Sequence, residues 1–362
     1  MPAPPRLEAL EFDSLAGFDD DDHLAAFRCF ARSAPALVKP RPGGRAARLA
    51  SPALVAAARA ALDSGVASGG AARRFFAMQF RPFRINPEPA SGGFLTGYYE
   101  PSVMGSLART DACRWPILAR PADLVTFAPG EAPEDFPEGV SGARRRGDGS
   151  LEPYDDRAAI ERERRNPIVW VRDAVEAFLI HVQGSAQIVF PDGAHARLAY
   201  DGRNGLLYTS IGRILIESGE IAESAMSLAS LKAWLRADPA RGLKLMRRNR
   251  SFVFFRLVED FDPKLGPVAG AGVALTALRS LAIDRTLWPY GLPFWIDAEL
   301  PWADEAPQPF RRLMIAQDTG TAIVGPARAD LFFGSGEAAG ARAGAIRHQA
   351  QVVVLLPRGD EP

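Results

Sequence analysis

Leu313-Met314-Ile315-Ala316-Gln317-Asp318-Thr319-Gly320 reads as an apolar strand that delivers one carboxylate onto a Thr-Gly corner. Asp330 follows within Arg328-Ala329-Asp330-Leu331-Phe332-Phe333-Gly334. An acid at the end of a buried strand is held rigidly, beside apolar neighbours able to raise its pKa, which is what a general acid requires near neutral pH. The plainer reading of the same residues is a strand-end aspartate accepting backbone hydrogen bonds in a turn.

Outward from this segment, strand signals dominate after residue 250. They run over Phe252 to Val258, Phe294 to Ile296, Leu313 to Ala316 and Val352 to Leu356, separated by Gly- and Pro-rich links. Many short strands with such punctuation predict a small barrel. A further strand, Gly92-Gly93-Phe94-Leu95-Thr96-Gly97-Tyr98-Tyr99-Glu100-Pro101, lies in the first hundred residues. Barrel strands at both ends of the chain imply one domain interrupted by another. The expected division is 1–103 with 249–362 for the barrel and its N-terminal helices, and 104–248 for the insert.

The first quarter reads as helical. Asp19 to Asp22 form an acidic helix start ahead of Leu24, Phe27 and Phe30, Ser51-Pro52 offers an N-cap followed by proline, and a third helix is expected near Ala71 to Phe80. Residues 127–153, rich in Pro, Gly and charge around Arg144-Arg145-Arg146, read as a long exposed loop with the arginines at a solvated tip. In the middle, Asp173, Thr209 or Ser210, Ser227 and Asp238 are candidate helix caps.

Composition narrows the function classes. Of 362 residues, 47% are hydrophobic and 24% charged, an ordinary globular balance. Lys+Arg and Asp+Glu both number 43, so no basic field points to nucleic acid. The four histidines are scattered, and Cys29 and Cys113 make no metal-ligand spacing, so neither a metal nor a cofactor is expected. Whether the two cysteines pair is left open by their spacing. Met1 to Arg6 shows no charged n-region followed by an apolar h-region, and no run of about 18 apolar residues is present.

A set of ordered segments resembles the membrane-bound lytic murein transglycosylase A family. They are Phe94-Leu95-Thr96-Gly97-Tyr98-Tyr99-Glu100-Pro101, Tyr154-Asp155-Asp156-Arg157, His181-Val182-Gln183-Gly184-Ser185, Gly202-Arg203-Asn204-Gly205, Tyr208-Thr209-Ser210-Ile211-Gly212-Arg213, Ser251-Phe252-Val253-Phe254-Phe255-Arg256 and the C-terminal segment bearing Asp284, Asp318 and Asp330. The resemblance implies a mainly β fold with peripheral helices: a double-psi β-barrel interrupted by an inserted second β-rich domain, with a glycan strand in the groove between them. It also implies a periplasmic, outer-membrane-associated enzyme acting on peptidoglycan, with other cell-wall enzymes as partners and a monomeric state. Exo- and endo-action both stay open. The chain departs from the family pattern at Arg250 (usually proline), Tyr290 (usually leucine), Thr321 and Ala329 (usually glycine). Thr321 is expected to crowd the corner after Asp318.

The implied catalytic residue is Asp318, a single carboxylate acting first as acid and then as base on the bond between N-acetylmuramic acid and N-acetylglucosamine. That role calls for a partly buried acid with a raised pKa. Asp330, Asp284, Thr319 and Gln317 are candidate supports, although Asp284 reads as structural. Thr96, Tyr98, Glu100, Gln183 and Ser185 are candidate substrate contacts; strand alternation sets Thr96 and Tyr98 on one face and Tyr99 on the other. Two rival readings remain: an inverting hydrolase with a second carboxylate among Asp330, Asp284 and Glu100, and a non-catalytic wall-binding module.

Overall fold

The computed structural model describes residues 6–39, 48–86, 92–127, 131–304 and 306–362. The Met1–Pro5 part of the leader reading lies outside them. The chain forms two compact units: residues 1–99, 264–334 and 342–362, and residues 100–263 with 335–341.

The first unit is a barrel. In order around it run Gly93–Glu100, Arg347–Pro357, Pro293–Leu300, Gln308–Asp318, Ser280–Ile283 and Arg328–Ser335, which pairs back to Gly93–Glu100. Six strands close the sheet and leave no open edge among them. Phe80–Asn86 and Arg6–Ala9 extend the sheet outward from Arg347–Pro357. Ser280–Ile283 and Gln308–Asp318 run parallel, whereas Pro293–Leu300 is antiparallel to both its neighbours. The apolar run of the opening segment is the middle of the barrel: Leu313, Met314, Ile315 and Ala316 are all fully buried.

The expected helices pack on this barrel. Asp22 caps His23–Val38 by accepting from Ala25 N at 3.0 Å, Ser51 caps Pro52–Asp63, and Gly69–Gln79 follows. Phe27, Phe30, Phe75, Phe76 and Phe80 meet edge to face, the geometry favoured by aromatic quadrupoles. The aspartate run is not only a helix start. The Asp21 side chain is covered and takes both Arg279 nitrogens at 2.7 Å and Leu313 N at 2.9 Å, tying the helix entry to a barrel strand.

The second unit holds a six-stranded sheet in the order Val253–Val258, His195–Arg203, Ser185–Val189, Ser102–Ser106, Pro167–Val171 and Trp115–Leu118. Ile117, Val169, Ile180, Ile188, Leu198 and Phe255 form its core. This corrects the sequence reading of Phe252 to Val258 as a barrel strand. That strand pairs with His195–Arg203 instead, because strand composition reports a half-buried pleated surface and is silent on the partner. A second correction concerns residues 127–153. Gly142–Arg145 and Leu151–Pro153 join Leu124–Thr126 in a three-stranded sheet. Arg144 is largely covered there, paired with Asp123 and Asp155 and lying 4.6 Å above the Tyr154 ring. Asp173, Ser227 and Asp238 cap helices as their spacing predicts, and of the pair Thr209 and Ser210 it is Ser210 that caps.

Candidate active site

The barrel brings Asp318 and Asp330 into one row. Asp318 is registered against Ala282 on one side of the Ser280–Ile283 strand, and Asp330 against the same Ala282 on the other. The parallel register slips between Leu281 and Ala282, so Gln317 is the extra residue of a bulge. A bulge re-aims the side chains around it. Gln317 turns into the core, fully buried, donating to Cys29 O at 2.9 Å and Ser33 Oγ at 2.7 Å and accepting from Ser280 Oγ at 2.5 Å. Its role is to anchor the strand end that carries Asp318. Thr319 does the same on the far side, donating through Oγ1 to Ile283 O at 2.9 Å.

Asp318 is held at both oxygens. Gly270 N donates to Oδ1 at 3.0 Å, and the Tyr98 hydroxyl donates to Oδ2 at 3.2 Å. Thr96 and Tyr98 share the site face, as alternation requires, while Tyr99 is buried. Thr96 Oγ1 donates to Asp330 Oδ1 at 2.6 Å and accepts from Arg328 Nη2 at 2.7 Å, forming a chain Arg328–Thr96–Asp330.

The electrostatics follow from this packing. Burial pushes the Asp330 carboxyl up to about 6, against the opposing pull of Arg328 and the Thr96 hydrogen bond, with the charge of Asp318 adding to the rise. Asp330 is thus a carboxyl of raised pKa beside Asp318. Tyr98 is pushed well above the ordinary tyrosine range, first by burial and then by the charges of Asp318 and Asp330, so it stays a neutral phenol. Burial lowers Arg328.

The other candidates take different places. Asp284 is a turn cap, accepting from Thr286 N at 3.0 Å, Thr286 Oγ1 at 2.6 Å and Gly325 N at 2.9 Å. Glu100, expected as a substrate contact, lies inside the protein with its carboxyl paired to neighbouring side chains. It is fully buried, with Arg197 donating to both oxygens and Gln187 and Ser335 to Oε2. Burial still pushes its pKa up. Gln183 ends the helix Ala174–Gln183, and Gly184 caps it at φ 79°. Ser185 is buried at the start of its strand, a position that suits sheet packing better than glycan contact. Thr321 does not crowd the Asp318 corner: it is exposed, and its backbone stays out of the left-handed region.

Two contributors, Arg328 and Gly270, carry no signal of their role in the sequence. Gly270 sits in the Gly-rich 266–272 link, whose two glycines around Ala271 signal a tight turn without naming its target.

Comparison with known proteins places this geometry. A family described as "MltA specific insert domain" matches residues 94–256, and a "3D domain" matches residues 279–356. A membrane-bound lytic murein transglycosylase from Agrobacterium tumefaciens, solved by crystallography, is 37% identical, with 97% of this chain and 98% of that one aligned at a TM-score of 0.87. The chain belongs to the membrane-bound lytic murein transglycosylase A family. Its fold is accordingly mainly β, a double-psi barrel with an inserted domain. The curated "Membrane-bound lytic murein transglycosylase A" of Vibrio cholerae is 36% identical over 188 residues, 51% of this chain and 50% of that protein. The chain therefore spans about half the length of the curated relatives it matches. The Escherichia coli MltA solved with bound chitohexaose is 25% identical at a TM-score of 0.68, covering 99% of this chain and 95% of that one.

Proposed function

We propose that this protein is a lytic transglycosylase that cleaves the MurNAc–GlcNAc bond of peptidoglycan without water, with Asp318 as its catalytic acid and base. The observation that carries the reading is the clamp on Asp318 at a strand end, Oδ1 by Gly270 and Oδ2 by Tyr98, within a chain of this family. Protonated Asp318 gives its proton to the glycosidic oxygen as the C1–O bond breaks, and positive charge develops on the muramic sugar. The carboxylate then takes the proton of that sugar's C6 hydroxyl, which closes on C1 to give a 1,6-anhydro ring. An intramolecular nucleophile has a high effective concentration, so no second carboxylate is needed to activate water.

Asp330, committed to Thr96 and influenced by Arg328, supplies a neighbouring charge rather than a second base. Thr96 and Tyr98 line the position where the sugar lies. The ligand class agrees with the chitohexaose seen on the Escherichia coli relative. The relatives' names place them at a membrane, and we assign this chain to the cell envelope, on the periplasmic face of the outer membrane. Among the described residues no helix is long and apolar enough to cross a membrane.

A second carboxyl beside Asp318 is what an inverting hydrolase would use as its base, so the products decide. Murein sacculi digested by the protein and by Asp318→Asn, with soluble muropeptides weighed by mass spectrometry, provide the test. Products one water lighter than hydrolytic ones, lost in Asp318→Asn, are expected. Full-mass reducing ends would establish hydrolysis instead, and sacculus binding without release would establish a binding module.

A further inference from the structure

The two oxygens of Asp318 meet chemically different partners. A backbone N–H can only donate, so Oδ1 facing Gly270 N must remain an acceptor. A phenol can donate or accept, so Oδ2 facing Tyr98 is able to exist with or without a proton. The turn that presents Gly270 is itself fixed. Ala269 N bonds Val273 O at 3.0 Å, Gly272 N bonds Ala269 O at 2.8 Å, and Ala271 N clips Gln317 O at 2.9 Å.

Behind the turn stands Tyr290, buried just before the Pro293–Leu300 strand. A Cβ on Gly270 would lie 2.5 Å from the Tyr290 hydroxyl, 2.9 Å from its Cζ and 3.3 Å from Asp318 Oδ1. Only a glycine fits between the phenol and the carboxylate.

We infer that the Gly270 turn, backed by Tyr290, gives the oxygens of Asp318 separate tasks: Oδ1 is a permanent acceptor, and Oδ2 carries the proton that is donated and recovered. This rests on the transglycosylase reading. The proton leaves Oδ2 for the glycosidic oxygen, which keeps the electron pair of the broken C1–O bond. The C6 oxygen bonds C1, and its proton returns to Oδ2, so the cycle needs no other reactant. Tyr98 donates to Oδ2 when it is bare and accepts from it when it is protonated. Gly270 and Tyr290 act as positioning residues.

The test uses the full chain acting on soluble glycan strands. Gly270→Ala is expected to lower kcat about tenfold or more while KM stays within about twofold, because a misplaced acid harms the transition state rather than binding. Adding Tyr290→Leu, which withdraws the hydroxyl from the new Cβ, is expected to recover part of that loss in a double-mutant cycle. Wild-type kcat in Gly270→Ala would overturn the proposal, as would a loss that Tyr290→Leu leaves untouched. Should Gly270→Ala fail to fold by circular dichroism, Tyr290→Leu alone decides: a fall in kcat with KM kept supports the backing role, and an unchanged kcat overturns it. If the wild-type protein releases no 1,6-anhydro product, the underlying reading fails together with the proposal.

Discussion

Two carboxyls, the half-buried Asp330 in the barrel and the fully buried Glu100 in the second unit, are both pushed up by desolvation, yet they are built differently. Glu100 is fully buried, faced by the Arg197 guanidinium at 2.7 and 3.0 Å and closed off by Gln187 and Ser335. Both oxygens have a donor from the protein, and Phe261 lies against the guanidinium. Asp330 instead meets Arg328 through a hydroxyl, beside a second carboxylate that has one backbone donor and one phenol. A saturated ion pair stabilises a fold only as a matched unit. A carboxylate pair with adaptable hydroxyl partners can change protonation without losing its frame. The two carboxyls thus differ both in exposure and in the kind of donor that faces them.

Four changes would break or sharpen this contrast. The largest effect is expected in Asp318→Asn, which should cut muropeptide release at least about 10³-fold with the folded state kept, since it removes the acid and the base together. Mass spectrometry of the digest with a thermal melt checks both halves. Next, Arg197→Met should destabilise the protein by about 3–5 kcal/mol, because Glu100 would remain as an uncompensated buried charge. Chemical denaturation measures this, and much of the loss should return in the double variant with Glu100→Leu; a mild single effect would dissolve the contrast.

A smaller effect, about 1–2 kcal/mol, is expected for Thr96→Val, which leaves Arg328 and Asp330 without their shared hydroxyl. Here activity should fall more than stability does, as kinetics beside the melt would show. The subtlest change is in pH dependence. A carboxyl whose folded pKa of about 6 exceeds the ordinary 3.8 binds its proton more tightly in the folded state. Its contribution to stability is therefore greatest below pH 3.8, falls as pH rises to about 6, and is level beyond. Melts of Asp330→Asn across that window should fall less steeply with pH than wild type; parallel curves would show that Asp330 titrates normally.

The family-like motifs divide along the same line. Arg157 is buried and donates to Asn249 O and Ser251 O beside His181, and Asn204 ties Asp155 O, Arg250 O and Phe252 N together. These segments knit the middle of the second unit together. The segments with Thr96, Tyr98, Asp318 and Asp330 build the site.

By itself the sequence determined four of the barrel strands (those around Phe94, Phe294, Leu313 and Val352), the capped helices and the carboxylate at the Thr-Gly corner. These are written locally, in alternation, caps and turn residues whose periods of 2 and 3.6 survive without any partner. Only the tertiary structure decided which sheet Val253–Val258 joins, that Arg144 is covered, that Glu100 is sealed by Arg197, and that Gly270 and Tyr290 bear on Asp318. Each of those depends on contact between residues distant in the chain. Hydrogen-bond donors, unlike strand periodicity, leave no mark in the local pattern to say which acceptor they will meet.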